Sequence, residues 1–125
     1  MFTTADQLIA HAIGDYVVQS DWMATEKTTR WVPALVHGLT YGLVFLWFTT
    51  EWWRLAIIIL SHSVIDRYRL ARYLCWAKNR VLGHTAPWAQ CRATGYPPEK
   101  PIWLAVWLMI IADNVCHVLI NGWVL

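Results

Sequence analysis

From Ile102 to Ala112 the chain carries no charged or amide side chain, and from Leu55 to Leu60 it is wholly aliphatic. Such runs have to leave water, and this chain has little polar surface with which to cover them. Of its 125 residues 58% are hydrophobic and only 14% charged, which makes the bilayer the natural solvent. The tryptophans agree. Trp22, Trp31, Trp47, Trp52, Trp53, Trp76, Trp103 and Trp123 stand where an apolar run meets a polar one, as aromatic belts do at the two faces of a membrane.

The pattern predicts an all-α, polytopic membrane bundle of about four transmembrane helices, forming a single domain over residues 1–125. The helices are placed at about 5–22, 32–49, 52–73 and 101–125. Pro33 and Pro101 stand at helix starts, where a missing N–H costs nothing, and Gly38 and Gly42 are spaced to let a neighbouring backbone approach. The first helix is diluted by His11, Asp15 and Gln19, so an interfacial position competes with a span. At 100° per residue Leu8, His11, Asp15 and Trp22 share a stripe away from Ile9, Ala10, Val17 and Met23, and a buried polar stripe favours the span. Residues 76–100, broken by Gly83, Pro87, Gly95, Pro97 and Pro98, read as a loop between helices three and four.

Lysine and arginine positions set the orientation. Lys27 and Arg30 lie between helices one and two, and Arg67, Arg69, Arg72, Lys78, Arg80, Arg92 and Lys100 at or after the end of helix three; only Arg54 is left for the opposite face. The positive-inside rule makes the two basic loops cytoplasmic and puts both termini outside. The net charge of +2 and the absence of basic residues interleaved with stacking aromatics argue against nucleic acid as a partner. Cys75, Cys91 and Cys116 are odd in number and widely spaced, so they suggest neither a disulfide framework nor a zinc knuckle. Met1–Gln7 carries no basic residue and His11 and Asp15 interrupt the apolar run, so the first segment is expected to remain in the mature protein.

Within this apolar chain the ionisable residues come in pairs four apart: His11 with Asp15, His62 with Asp66, and Asp113 with His117. His37 adds a fourth helix. Counted at about 1.5 Å per residue from the cytoplasmic ends, Asp15, His37, Asp66 and Asp113 lie roughly 7–18 Å deep, so they can meet. Ionisable groups in hydrocarbon are costly unless paired or ligated. Hydrogen bonding between helices explains a single pair; it explains seven groups at one depth less well. Mixed imidazole and carboxylate donors suit a divalent metal (zinc, manganese or iron), and seven candidate ligands allow one or two ions or an orienting outer shell. The candidate ligands are His11, Asp15, His37, His62, Asp66, Asp113 and His117. Asp15, Asp66 and Asp113 are the candidate catalytic carboxylates, and Asp21, Asn114 and Asn121 the candidate supporting groups. Arg67, Arg69 and Arg72 follow Asp66 directly. Positive-inside anchoring alone accounts for them, and phosphate contact is the sharper alternative.

The stretches His11-Ala-Ile-Gly-Asp15-Tyr-Val-Val-Gln-Ser-Asp21-Trp-Met, Ser61-His-Ser-Val-Ile-Asp66-Arg-Tyr-Arg-Leu-Ala-Arg72-Tyr, Thr94-Gly-Tyr-Pro97, Pro101-Ile-Trp-Leu-Ala-Val-Trp and Ala112-Asp-Asn114 resemble a poorly characterised family of small bacterial and bacteriophage inner-membrane proteins, a domain of unknown function. The resemblance covers most of the chain. It implies a bacterial or phage origin and an inner-membrane location, and brings no activity with it. In style the His-x-x-x-Asp pairs are also similar to families of membrane-bound metal-dependent hydrolases, an analogy of motif.

The expected function is therefore an intramembrane divalent-metal site serving a hydrolase on a lipid-linked or phosphorylated substrate, in contact with the lipid bilayer and open to homo-oligomerisation. Three other classes compete. Ion or proton transport needs polar groups through the whole membrane thickness, whereas these gather at one depth. A haem electron carrier needs paired histidines without so many aspartates. A non-catalytic phage or bacterial interaction protein would use the bundle only as scaffold.

Overall fold

A computed structural model describes residues 4–125, and every regular element among them is helical. In chain order these are α1 (Thr4–Ala12), a π-helical turn (Ile13–Val17), α2 (Asp21–Glu26), α3 (Trp31–Phe45), α4 (Trp52–Tyr68), α5 (Leu70–Val81), α6 (Trp88–Cys91) and α7 (Ile102–Val124). They group into two compact units. The first takes in the described chain up to Tyr68 together with His117–Leu125, and the second is Arg69–Cys116.

The first unit is organised by the approach of α3 to α4. A Cβ on Gly38 would lie 2.0 Å from Ser63 Oγ and 2.9 Å from the Ile59 carbonyl, and one on Gly42 2.4 Å from Ile59 Cγ1. Only hydrogen fits at either position, so the two backbones meet along this stripe. Around it Ala10, Tyr41, Phe45, Ile58 and Val124 form an apolar core, with Val44, Phe48, Leu55 and Ile120 packed on it. Arg67 Nη1 donates to the Thr28 carbonyl at 2.8 Å, joining the end of α4 to the turn after α2. At the other end Arg54 Nη1 donates to the Leu125 carbonyl at 2.7 Å.

The helix expected over 5–22 is three pieces. Val18 N–H donates to the Ile13 carbonyl at 2.9 Å, a bond over five residues that inserts one extra residue into the turn. Gly14 lies in that turn because the Tyr41 ring occupies the space of its missing Cβ, at 2.4 Å. The chain then leaves the helix and restarts at α2, where the Ser20 hydroxyl accepts from Met23 N–H at 3.3 Å as an N-cap. The expected stripe is corrected accordingly. Leu8 and Trp22 are exposed, whereas Gln7, Ala10, His11, Gly14, Asp15 and Met23 are buried. A single α-helical wheel cannot be drawn through a π turn and a break.

The helix expected to run on to 49 stops at Phe45, and residues 46–49 tighten into short turns; Glu51 N–H is taken by the Thr49 hydroxyl at 3.1 Å, a local bond that competes with helix. The third expected helix breaks at Arg69, which has φ 51° and ψ 51° and opens α5. A left-handed arginine costs about 1–2 kcal/mol. Part of that is offset where Arg69 Nη2 donates to the Ala93 carbonyl at 2.9 Å.

In the second unit, the stretch expected to be loop begins with the end of α5. Ala71 and Cys75, one turn apart, are its buried face, and Cys75, Tyr96 and Ala105 form a small core with Leu108, Met109 and Ala112. All three cysteines are free thiols. Burial pushes the Cys75 and Cys91 thiols up from their ordinary value, which keeps them protonated. Gly95 has φ +81°, and a Cβ there would lie 2.1 Å from the Arg72 carbonyl. Gly95→Ala is expected to cost more than about 2 kcal/mol, from left-handed strain together with overpacking. Maleimide labelling of Cys75, buried in the intact unit, should rise markedly in that variant; unchanged labelling would show that the turn tolerates a side chain.

Of the four expected spans, α7 is the only described helix long and apolar enough to cross a membrane by itself. Length and composition explain the rest: α3 has 15 residues, α4 has 17 and carries Arg54, Asp66 and Arg67, and the first expected span is broken. A span at right angles to the bilayer needs about 20 apolar residues.

Candidate metal centre

Four helical segments of the first unit bring their polar groups to one place. The π turn supplies Asp15, α3 supplies His37, and α4 supplies His62 and Asp66, with His117 on α7 beside them. Each of these side chains is almost entirely removed from solvent: their exposures are 8% for Asp15, 0% for His37, 1% for His62, 4% for Asp66 and 2% for His117. Asp15, His37, His62 and Asp66 each offer one donor atom, and the four atoms lie within 4.8 Å of one another.

The separations are informative. His37 Nε2 is 2.9 Å from His62 Nε2, 3.2 Å from Asp15 Oδ1 and 3.3 Å from Asp66 Oδ2. His62 Nε2 is 3.1 Å from Asp15 Oδ1 and 3.3 Å from Asp66 Oδ2. Neutral imidazoles beside ionised carboxylates satisfy this arrangement poorly. Each neutral imidazole can place at most one hydrogen on Nε2, and if both did, two N–H groups would point at each other across 2.9 Å. If one did not, its lone pair would face two carboxylate oxygens. A cation among the four removes the conflict, because all four donors can then present lone pairs. A tetrahedral shell with bonds of about 2.0–2.1 Å has edges of about 3.3 Å. The observed separations are close to those edges. Two imidazoles and two carboxylates suit zinc, manganese or iron rather than calcium.

An outer ring surrounds the four donors. Asp66 turns Oδ1 to His117 Nε2 at 3.2 Å while Oδ2 also meets Lys27 Nζ at 2.7 Å. Asp15 turns Oδ2 to His11 Nε2 at 3.5 Å, and His11 Nδ1 is 2.8 Å from the Tyr41 hydroxyl. Asn121 Nδ2 donates to that hydroxyl at 2.6 Å. Tyr41 stacks on His62 at 3.8 Å between centroids and 17° between planes. Each aspartate thus gives one oxygen to the inner set and one to an outer histidine.

The sequence-derived candidates distribute as follows. His37, His62, Asp15 and Asp66 are the inner set, and His11, His117 and Asn121 belong to the outer ring. Asp113 stands one turn before His117 on α7 and, like Asn114, is a residue of the second unit. Asp21 is exposed in the first turn of α2, where an anion favours the helix dipole. The three arginines have backbone partners: Arg67 the Thr28 carbonyl, Arg69 the Ala93 carbonyl and Arg72 the Arg92 carbonyl at 3.0 Å.

Two residues of the site escaped sequence reasoning. Lys27 was grouped with the basic loop residues that set orientation. Tyr41 has no charge to draw attention, although it follows His37 by four residues and so shares its helix face.

No curated protein and no solved structure matches the chain. A family model does match it, over residues 3–94, under the description "Protein of unknown function (DUF3307)". That stretch holds the whole inner set together with His11, Lys27 and Tyr41. With well over half of its length matched, the chain belongs to the DUF3307 family.

Proposed function

We propose that this protein is a multi-pass inner-membrane protein whose His/Asp cluster holds one divalent metal ion, and that the centre hydrolyses a phosphorylated or lipid-linked substrate at the cytoplasmic leaflet. The observation that carries the reading is the set of four buried donor atoms, in which the two imidazoles lie 2.9 Å apart and 3.1–3.3 Å from the carboxylate oxygens, close to tetrahedral edges.

The inverted distribution of polarity supports the membrane setting. On α3, Val32, Leu35, Leu39 and Leu43 are exposed while His37 is buried; on α4, Trp53, Ile57, Leu60 and Val64 are exposed while His62 and Asp66 are buried. A water-soluble bundle has the opposite arrangement. The Arg67–Thr28 bond brings the end of α4 to the basic turn after α2, and Arg54 lies at the other end of the unit.

Chemically, a divalent ion in this position would lower the pKa of a bound water to near 7 and polarise the scissile oxygen. A hydrolytic centre needs three protein ligands and one open position. Asp15, His37 and His62 would hold the ion, and Asp66, whose Oδ2 closes the four-donor set, would have to turn toward Lys27 and His117 to serve as the general base. Lys27, with 17% of its side chain exposed, is the most accessible of the charged groups at the centre and can meet an anionic substrate oxygen.

Protein purified in mild detergent is expected to carry about one zinc, manganese or iron per chain by elemental mass spectrometry, and to cleave a chromogenic phosphoester in a chelator-sensitive way. Absence of metal after reconstitution with each of the three ions would overturn the reading. Metal without hydrolysis of phosphomonoester, phosphodiester or lipid-phosphate probes would leave the centre and remove the reaction.

A further inference from the structure

We propose that Tyr41 is a positioning residue of the metal centre, holding Asp15 through His11 and His62 through its ring. The proposal rests on the metal-centre reading and adds the residue that fixes two of its ligands at once.

Tyr41 is wholly buried, with Asn121 and His11 at its hydroxyl. Asn121 donates to its oxygen at 2.6 Å, which leaves the phenolic hydrogen available to His11 Nδ1 at 2.8 Å. With Nδ1 accepting, His11 carries its own hydrogen on Nε2, the atom that faces Asp15 Oδ2 at 3.5 Å. With Oδ2 engaged, Asp15 presents Oδ1 to His37 Nε2 and His62 Nε2. The groups form one chain, from amide to phenol to imidazole to carboxylate, that ends on Asp15. The ring acts separately. Stacked at 3.8 Å and 17° on His62, it sets the plane in which His62 can direct Nε2. Gly14 makes this possible, since any side chain there would collide with the Tyr41 ring. Partners of this kind are usually worth 10–100-fold in metal affinity, because they determine whether a ligand arrives already oriented.

The test is zinc affinity, read by competition with a fluorescent chelator in detergent, for Tyr41→Phe, His11→Gln and the double variant. Tyr41→Phe keeps the ring and loses only the hydroxyl. Each single change is expected to weaken zinc by about 10–100-fold, and the double variant is expected to be no weaker than the weaker single, because both break one chain. Tyr41→Leu, which loses the stacking as well, should be weaker still and should shift the d–d bands of the cobalt-loaded protein. Asn121→Leu leaves the tyrosine in place and is expected to weaken zinc in the same direction; it reads the chain if Tyr41→Phe does not fold. Wild-type affinity in Tyr41→Phe, or in Asn121→Leu where it stands in, would overturn the proposal, as would losses that multiply in the double variant. A wild type that binds no metal would instead remove the metal centre itself, so the two failures are distinguishable.

Discussion

His62→Gln is expected to abolish stoichiometric metal while leaving the helical circular dichroism intact. Glutamine is close to histidine in volume and can still hydrogen-bond, so the variant removes the imidazole donor without opening a large cavity beside Tyr41 and Ile58. Structural zinc sites bind with about 10–16 kcal/mol overall. A quarter to a third of that is about 4 kcal/mol, or about a thousandfold in affinity, enough to empty the site through purification. Asp66→Asn is the informative contrast. Its Oδ2 meets both Lys27 and the inner histidines, and as general base it should be dispensable for metal but not for turnover. The measurement is metal content and phosphoester cleavage on the same samples. If the two variants lose metal equally, Asp66 is a ligand and the open coordination position belongs elsewhere. If His62→Gln keeps its metal, the inner set has been misassigned.

Gly38→Leu is expected to prevent α3 from packing on α4 and to cost more than about 3 kcal/mol, a size reserved for overpacking that cannot relax. The nearest obstacle to a Cβ is the Ser63 hydroxyl at 2.0 Å, and behind it stand the Ile59 carbonyl at 2.9 Å and Ser63 Cβ at 3.3 Å. A side-chain oxygen can be removed; a helix carbonyl cannot. Gly38→Ala is therefore expected to lower the melting temperature in detergent, and Ser63→Ala in the same chain to recover part of the loss but not all of it. Full recovery would mean that the helices can separate by a few tenths of an ångström without harm. No loss in Gly38→Ala would mean that the α3–α4 approach is not what holds His37 beside His62 and Asp66.

Much of the site is legible in the sequence, because a four-residue spacing on a helix places two side chains on one face wherever that helix lies. His62 with Asp66 needed nothing more, and His37 followed from its depth. Tyr41 and Lys27 were hidden for different reasons. A tyrosine inside an apolar run reads as core, and only the close approach of His11 and Asn121 gives its hydroxyl a task. A lysine in a loop reads as a topology signal, and only the fold of the turn after α2 brings Nζ to Asp66.

The fold was less legible at its joints. α5 lay under a density of arginine and lysine that resembles loop, although Leu70 with Leu74 and Ala71 with Cys75 carry a helical period. The left-handed turn at Arg69 has no local cause in the sequence, since neither glycine nor asparagine stands there. The close fit at Gly14 involves a ring from another helix, which no local pattern announces.

The π turn also makes chain length a component of the site. The Val18–Ile13 bond closes a turn that holds Asp15, so this carboxylate is carried on a wider turn than an α-helix provides. Loss of one residue from 13–17 would let the segment close to ordinary helix and draw Asp15 away from the place where it meets His11, His37 and His62. The site would then lose its first carboxylate although no donor had been substituted. Among relatives, an insertion or deletion in this stretch should be as damaging as the loss of a histidine, and the length of the turn is as much a signature as the residues it carries.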